Sequence, residues 1–458
     1  MASYLTDYLS YATDNEAPEM FHVWSAYSAL SAAVGRRVWF IQGPIVFYPN
    51  IYVLLVGDAG SCKSTAMRYA QDLLSNLGGK NPGEFIHMSC SVETPEAFCK
   101  FIGGDTEKDP PTVSKCLKMM QWPNGKLEAT HAYHIQANEF LNFISKNDVG
   151  WTVTLNDIYD QDRYSYKTKN MGTDIVVGPY ITLLGAIPTE SSKQLQRVDV
   201  ISTGFARRTF LQHGERRFDN PKPRIHYGPE QEALRNKCLA HLVEVQKLSG
   251  PMKETPEAAA FYDAWYIEHN RTLAKRATPQ TKGWLSSKAT QVIKLAVLNS
   301  LAHRLTREII VQDYQLGLAY LDELEKGFPF VFGGVGRNDL APLAMKLLEH
   351  LTLVNEPVSF GALKRKFFSA FSPGKGFNEL TECMTHLVDS SQVIARSVTT
   401  KVPPIIEEIV YATPVAWNAF VDGSQFGQPV VVPTLSPKDW KPVEHPLPQL
   451  PVTPPKKA

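Results

Sequence analysis

The chain is short of cysteine, of net charge and of long apolar runs. Its six cysteines, Cys62, Cys90, Cys99, Cys116, Cys238 and Cys383, form no C-x-x-C pair and no Cys/His cluster at zinc spacing. Reduced thiols are the simplest reading, which argues against a disulfide framework or a structural zinc site. The formal net charge is only +1, so a chain-wide electrostatic footprint for nucleic acid is missing, and such a partner would have to be met by local basic patches. No run reaches the ~18 apolar residues of a membrane helix. The opening "MASYLTDYLSYATDNEAPEM" is acidic and polar where a signal peptide has a basic end and an apolar stretch. A cytoplasmic protein without a membrane partner is therefore expected, and no internal repeat is visible.

What is present is enough chain, 458 residues, for two or three domains with cores of their own. Residues 1–44 read as a helical lead-in, because "MFHVWSAYSALSAAVG" sets apolar residues at helical spacing with small ones between. Residues 45–220 alternate strand candidates, "IYVLLV", "FIHMSC", "AYHIQA" and "YITLLGA", with helical stretches, the pattern of an α/β parallel sheet covered by helices. Between them, Thr94 suits a helix cap, Pro95 the first helical position and Glu96 the positive helix end. Residues 221–335 lose the strands and read as a helical domain. Residues 336–418 follow the hinge "GGVGRND" with three short helices and two strands, the winged-helix order, and Ser359 is placed to cap the second helix. Residues 419–458 are proline-rich with few apolar anchors, the composition of a disordered or extended tail.

The chemistry concentrates in "LLVGDAGSCKSTAM". A phosphate-binding loop needs a strand, a tight loop with inward backbone N–H groups, and a helix whose positive end faces the phosphates. Here "IYVLLV" is the strand, Gly57, Asp58, Ala59, Gly60, Ser61 and Cys62 the loop, and the helix follows. Lys63 would reach the β and γ phosphates of ATP, and Ser64 would offer its hydroxyl to Mg2+. Cys62 stands where the pattern G-x-x-x-x-G-K-[ST] has its second glycine. A side chain is tolerable there if the backbone keeps negative φ, with Gly60 supplying the bend. Cys62 reads first as a plain spacer, with a lowered thiol pKa beside Lys63 at a helix start, and redox control, as the alternative.

A hydrolase of this class also needs a carboxylate at the end of a neighbouring strand. "AYHIQANEF" supplies Glu139 as general base, preceded by Asn138, which can hold a metal-bound water without adding charge; the alternative is a surface carboxylate after a buried strand. Thr189, after "YITLLGA", is a γ-phosphate sensor candidate or a helix cap. Arg207 and Arg208 precede another apolar strand and are either paired to local acids or an arginine finger for the next subunit's site, which would make the active form a ring.

With these pieces in order, the chain resembles a family of P-loop proteins of uncharacterised function from phages, prophages and mobile elements, often encoded with or fused to primases. The resembling stretches are "FHVWSAYSALSAAVGRRVWF", "PNIYVLLVGDAGSCKST", "TPEAF", "NEF", "DIYDQDRYSYKTKN", "PYITLLGA" and "GFARR", over roughly residues 3 to 325. That family often replaces the second loop glycine too, commonly by arginine. The resemblance implies an oligomeric ATPase of the AAA+ or RecA-like kind acting as a replicative DNA helicase. It carries nucleotide binding onto Gly57, Lys63, Ser64 and Thr65, hydrolysis onto Glu139, and the finger onto Arg207 or Arg208. The family usually has aspartate or another polar residue where Asn138 stands.

Two regions offer nucleic-acid contacts. "DIYDQDRYSYKTKNMG" mixes Arg163, Lys167 and Lys169 with Tyr164 and Tyr166, phosphate contacts plus stacking faces for single strands, or else a solvated face pairing with Asp157, Asp160 and Asp162. In the winged-helix segment, "FNELTECMTHLV" carries Glu379 and Glu382 and neither Lys nor Arg, so base reading by that helix is not expected. Lys364, Arg365, Lys366 and Lys375 remain for phosphates, with protein docking as the alternative. The leading function is an ATP- and Mg2+-dependent DNA motor working as a homo-oligomeric ring on single-stranded or duplex DNA for phage or mobile-element replication. The rivals are an ATP-controlled switch or loader that recruits a primase or other replication protein without unwinding, and a nucleotide-binding scaffold that does not hydrolyse.

Overall fold

The computed structural model describes residues 3–417 apart from 79–83, 90–93, 104–113, 115, 144–148, 169–171, 190–203, 220, 223–224, 279–280, 333–340, 368–375, 390–391 and 400–406. Lys169, Lys375 and the proline-rich tail lie outside the described residues. The chain divides into two compact units, Met1–Val335 and Gly336–Ala458.

The first unit opens with helices α1 (Tyr4–Ala12) and α2 (Glu19–Val34), a hairpin of β1 (Val38–Gln42) and β2 (Ile45–Phe47), then β3 (Tyr52–Val56) and α3 (Lys63–Ser75). There follow β4 (Met88–Ser89), α4 (Pro95–Gly103), β5 (Leu117–Gln121), β6 (Leu127–Ala137), α5 (Phe140–Phe143) and α6 (Val149–Asp160). A second hairpin, β7 (Arg163–Thr168) and β8 (Gly172–Val177), precedes β9 (Pro179–Ile187) and β10 (Thr209–His213). Helices α7 (Pro229–Lys247), α8 (Pro256–Arg276), α9 (Lys282–Arg304), α10 (Val311–Lys326) and α11 (Phe328–Phe332) follow. The stretch expected to lose its strands keeps three short ones: Gly250–Pro251 pairs parallel with β1, and Lys253–Glu254 pairs parallel with Glu308–Ile309.

The central sheet has the order β10-β3-β9-β6-β4, all parallel, with β5 added antiparallel against β6. The molecule is thus mixed α/β with a largely parallel sheet, as its alternating strands and helices predict. β3 and β9 are buried at every position, which explains why both read as unbroken apolar runs rather than as alternating ones.

The lead-in, the sheet and the helical stretch share one core that runs from Tyr4 to Phe332. Three separate segments were expected there. The reason lies in α2 and α9, which are buried nearly all round and cannot serve as one-faced surface helices. The Trp24 indole donates to Gln212 of β10 at 2.8 Å, and the Tyr27 hydroxyl donates to Asn299 of α9. α9 is tied to the foot of β3 by Lys294, whose ammonium donates to the backbone and side-chain oxygens of Asn50 at 3.0 and 2.8 Å and sits 3.8 Å from the centre of the Tyr159 ring. Among the described residues no helix is long and apolar enough to cross a membrane.

The second unit runs helix Ala341–Val354, strand Val358–Ser359, helix Phe360–Lys366, helix Gly376–Asp389, and strands Ile394–Thr399 and Glu407–Ala412. Its three strands form an antiparallel sheet with Glu407–Ala412 in the middle. Ser359 caps the second helix, its hydroxyl accepting from the Ala362 N–H at 3.2 Å. Leu347, Leu351, Leu363, Leu380 and Met384 fill its own core.

Burial pushes the Lys294 pKa down to about 7, against the opposing pull of Asp160 and with a small push from Arg208. The unfolded chain binds this proton more tightly, so stability should rise with pH from about 7 towards the free lysine value and be flat below, where both states are protonated. The slope from this group is at most about 1.4 kcal/mol per pH unit. Urea unfolding of Lys294→Met between about pH 7 and pH 9 should lose that rise; an unaltered slope would show that Lys294 is not its source.

Candidate functional site

Parallel strands deliver their C-terminal ends to one edge of the sheet. β3 leads there into residues 57–62, β6 into Asn138 and Glu139, β9 into Pro188 and Thr189, and β10 into Gly214. After β3 the chain crosses to β4 at the far side, returns through β6 and β9, and then steps over β3 to β10. Such a reversal of strand order opens a crevice at the strand ends, where open α/β sheets hold their ligands.

The loop after β3 is tightly determined. A Cβ on Gly57 would lie 2.5 Å from the Gly214 carbonyl oxygen and 2.6 Å from the Ser61 hydroxyl, so glycine is required. The Gly57 N–H donates to Ile187 and the Gly214 N–H to Val56, which locks the loop base to both neighbouring strands. Gly60 turns with φ +86°, and Cys62 follows with φ 60° and ψ 25°. The condition of negative φ at Cys62 is not met: the loop swings into α3 through a left-handed residue, the conformation that glycine supplies in the usual pattern. A non-glycine residue carries ~1–2 kcal/mol of steric strain there. The thiol is half-buried and lies 3.6 Å from the Gly60 carbonyl oxygen.

Lys63 is the first residue of α3, and its half-buried ammonium turns back across the loop. It donates to the Gly57 carbonyl at 2.5 Å, the Asp58 carbonyl at 2.8 Å and the Ser61 hydroxyl at 3.1 Å. Burial lowers its pKa, and Asp58 works in the other direction. The backbone N–H groups of the first helical turn, at Lys63, Ser64 and Thr65, have no carbonyl of their own helix to meet. Ser64, Asp58 and Ala59 are exposed and Thr65 half-buried. A cation and a helix N-terminus therefore converge on the loop, an arrangement suited to phosphate.

Glu139 and Asn138 sit exposed in the turn between β6 and α5. The Glu139 carboxylate accepts from the Asn142 amide, and its carbonyl accepts the Asn142 and Phe143 N–H groups. Ala137, Gly185 and Leu54 are level across β6, β9 and β3, so Glu139 emerges two strand spacings, about 10 Å, from the end of β3. Gln136, which sequence reasoning passed over, connects the two: its amide donates to the Met67 carbonyl at 3.3 Å and to Gln71 at 3.2 Å, both on α3. Its signal was a buried amide in an otherwise apolar run. Among the described residues no group of three or more His, Cys, Asp and Glu side chains converges on a metal position. Ser64 and Asn138 offer neutral oxygens of the kind Mg2+ accepts alongside phosphate and water.

Arg207 and Arg208 lie at the opposite edge. Thr209, the residue after them, pairs with Tyr52 at the start of β3, which puts both arginines about 17 Å, the length of a five-residue strand, from the loop of their own chain. Arg208 is engaged by Asp160 at 3.0 Å. Arg207 is exposed, and among the described residues its guanidinium has no partner; its carbonyl accepts from Gln291.

The stretch after α6 is a hairpin rather than a loop. Arg163 is exposed on it, but Tyr164 and Tyr166 are half-buried against the core. Tyr164 hydrogen-bonds Thr154 and Tyr166 donates to Glu96 at 2.7 Å. Tyr164 is therefore not the open stacking face expected of it. Asp160 and Asp162 are committed to Arg208 and Arg36, so they do not neutralise the hairpin. Lys167 lies on β7.

No protein-family model matches the chain, and no curated protein matches it either. The site rests on its own geometry.

The left-handed Cys62 yields a stability test. Cys62→Gly removes the ~1–2 kcal/mol strain and adds ~0.5–1 kcal/mol of unfolded-chain entropy cost. A net gain of roughly 0.5–1 kcal/mol in urea unfolding is the expected outcome. A loss of stability would show that the thiol makes a contact worth more than the strain.

Proposed function

We propose that the first unit is a P-loop nucleoside triphosphatase of the AAA+ or RecA-like kind, and that it couples ATP hydrolysis to movement on DNA as an oligomer. The observation that carries this reading is Lys63 held inside a strand–loop–helix at the crevice of a parallel sheet, with Glu139 emerging at the same edge. The loop N–H groups and the α3 dipole would bind the phosphates, and Lys63 would exchange its carbonyl contacts for the β and γ oxygens. Ser64, and Asn138 through water, would hold Mg2+, which would neutralise charge on the same oxygens. Glu139 orients the attacking water and takes its proton, with Asn142 fixing the carboxylate. Arg207, exposed and remote from its own loop, is the better placed of the two arginines to complete a neighbouring copy's site, whereas Arg208 is held by Asp160.

The second unit supports a winged-helix reading through its element order and capped second helix. Lys364, Arg365 and Lys366 are exposed at the end of that helix, a placement suited to phosphates. The third helix carries no Lys or Arg, so the unit would hold DNA without reading bases. The burial of Tyr164 and Tyr166 favours one alternative, a switch or loader in which ATP controls recruitment of a primase or other replication protein without strand separation.

Turnover of ATP by the purified protein, with and without single-stranded DNA, tests the reading. Lys63→Ala should abolish turnover. Glu139→Gln should keep nucleotide binding and lower turnover about 100-fold or more. Arg207→Ala should lower turnover in the assembled protein while a monomer still binds ATP. Turnover that survives Lys63→Ala would sink the proposal, and DNA-stimulated hydrolysis without unwinding would select the loader.

A further inference from the structure

The nucleotide reading leaves open where the base goes, and the sheet order answers it. Glu139 and Thr189 follow β6 and β9, both on one flank of β3. The γ-phosphate, which meets the attacking water, must point to that flank. The nucleoside therefore leaves across the other flank, over β10.

At the end of β10, level with Val56, stands His213. Its ring is stacked on Phe330 of α11 with centroids 4.5 Å apart and planes within 10°. Phe330 is 56% exposed, although its neighbours Phe328, Val331 and Phe332 are buried. A phenyl ring with one face on an imidazole and more than half its surface in water presents its other face to solvent. The pair is fixed in place, because α11 starts against β10 so closely that a Cβ on Gly327 would lie 2.9 Å from the His213 Cβ. His213 is also near the phosphate loop: Asp58 and Glu215 act on its charge while burial lowers its pKa, so the imidazole is neutral at neutral pH and does not add a cation to the stack. An isolated exposed aromatic needs no explanation. This one is pre-stacked and lies on the β10 flank, across which the nucleoside would leave.

We infer that Phe330, backed by His213, is the base-stacking platform of the nucleotide site, and that the site takes a purine nucleoside triphosphate with its base on the open face of Phe330. The inference rests on the nucleotide reading proposed above. Every base offers a π face to an aromatic ring, and the larger purine covers more of it. Phe330 is a binding and specificity residue here, with no part in the chemistry.

The test is binding of ATP, inorganic tripolyphosphate and a thymidine oligonucleotide by the full chain and by Phe330→Ala, with thermal unfolding of both as the folding control. Tripolyphosphate keeps the phosphates and lacks the base. The expected result is that Phe330→Ala weakens ATP binding about ten-fold, as loss of a base–aromatic stack does, and leaves tripolyphosphate binding unchanged. Phe330→Trp should retain ATP affinity and show indole fluorescence quenched by ATP but not by tripolyphosphate. Equal weakening of ATP and tripolyphosphate, or no effect on ATP, overturns the platform. Weakened oligonucleotide binding with intact ATP binding also overturns it, by assigning the ring to nucleic acid. Failure of the unaltered protein to bind either phosphate ligand overturns the nucleotide reading itself and this inference with it.

Discussion

The parallel pairing of β3 with β9 on one flank and β10 on the other is the constraint on which the remaining structure depends. It buries every residue of β3 on both faces and pairs its backbone on both sides. Burying a Val or Leu side chain contributes ~1.5–3 kcal/mol, so this strand alone matches the net stability of a typical domain, ~5–15 kcal/mol. Against that, the left-handed Cys62 one loop later is a small cost. The pairing also fixes polarity. Because all three strands run the same way, residues 57–62, Thr189 and Gly214 emerge on one edge, while Asn50, Pro179 and Arg208 collect on the other.

Much of this was legible in the sequence, and what was not legible has a common cause. The runs "IYVLLV", "AYHIQA" and "YITLLGA" announce buried strands by composition alone, and Ser359 announces a helix start by its place before an apolar stretch. The strand order does not follow from such local signals, because it is set by which apolar face meets which across long separations. Hence the arginine pair could be recognised, but its position on the edge opposite the loop could not. The merging of lead-in, sheet and helical stretch into one core was hidden for the same reason: the small residues of α2 permit close approach on several faces without naming the partners. The burial of Tyr164 and Tyr166 likewise required knowing that the stretch pairs as a hairpin against α4 and the core, where alternate residues turn inward.

Cys62 shows a different limit. Its sequence context correctly marks a loop entering a helix, but whether the substituted position keeps the left-handed backbone depends on geometry dictated elsewhere. Here Gly57 is clamped between Gly214 and Ser61, and Lys63 bonds back to Gly57 and Asp58, so the residue between has little freedom. The loop conformation is imposed by its two ends, and the residue at Cys62 accepts the strain. A side chain is therefore tolerated where the usual pattern has glycine: strain of this size weakens the loop without abolishing it.

The two edges of the sheet are mechanically joined by β3 itself. At its foot, Asn50 receives the Lys294 ammonium and exchanges hydrogen bonds with Tyr159, next to the Asp160 that holds Arg208. At its head, Val56 hands the chain to the loop of residues 57–62. The strand is paired on both sides along its whole length, so foot and head belong to one continuous ladder. On the proposed reading, Arg207 at the foot serves a neighbouring copy while Lys63 at the head serves its own nucleotide. One strand then connects the site a subunit owns to the site it completes. The buried, weakly basic Lys294 at the centre of that network has no partner in the loop chemistry, and its position at the foot of β3 gives a structural reason for placing a lysine where burial disfavours its charge.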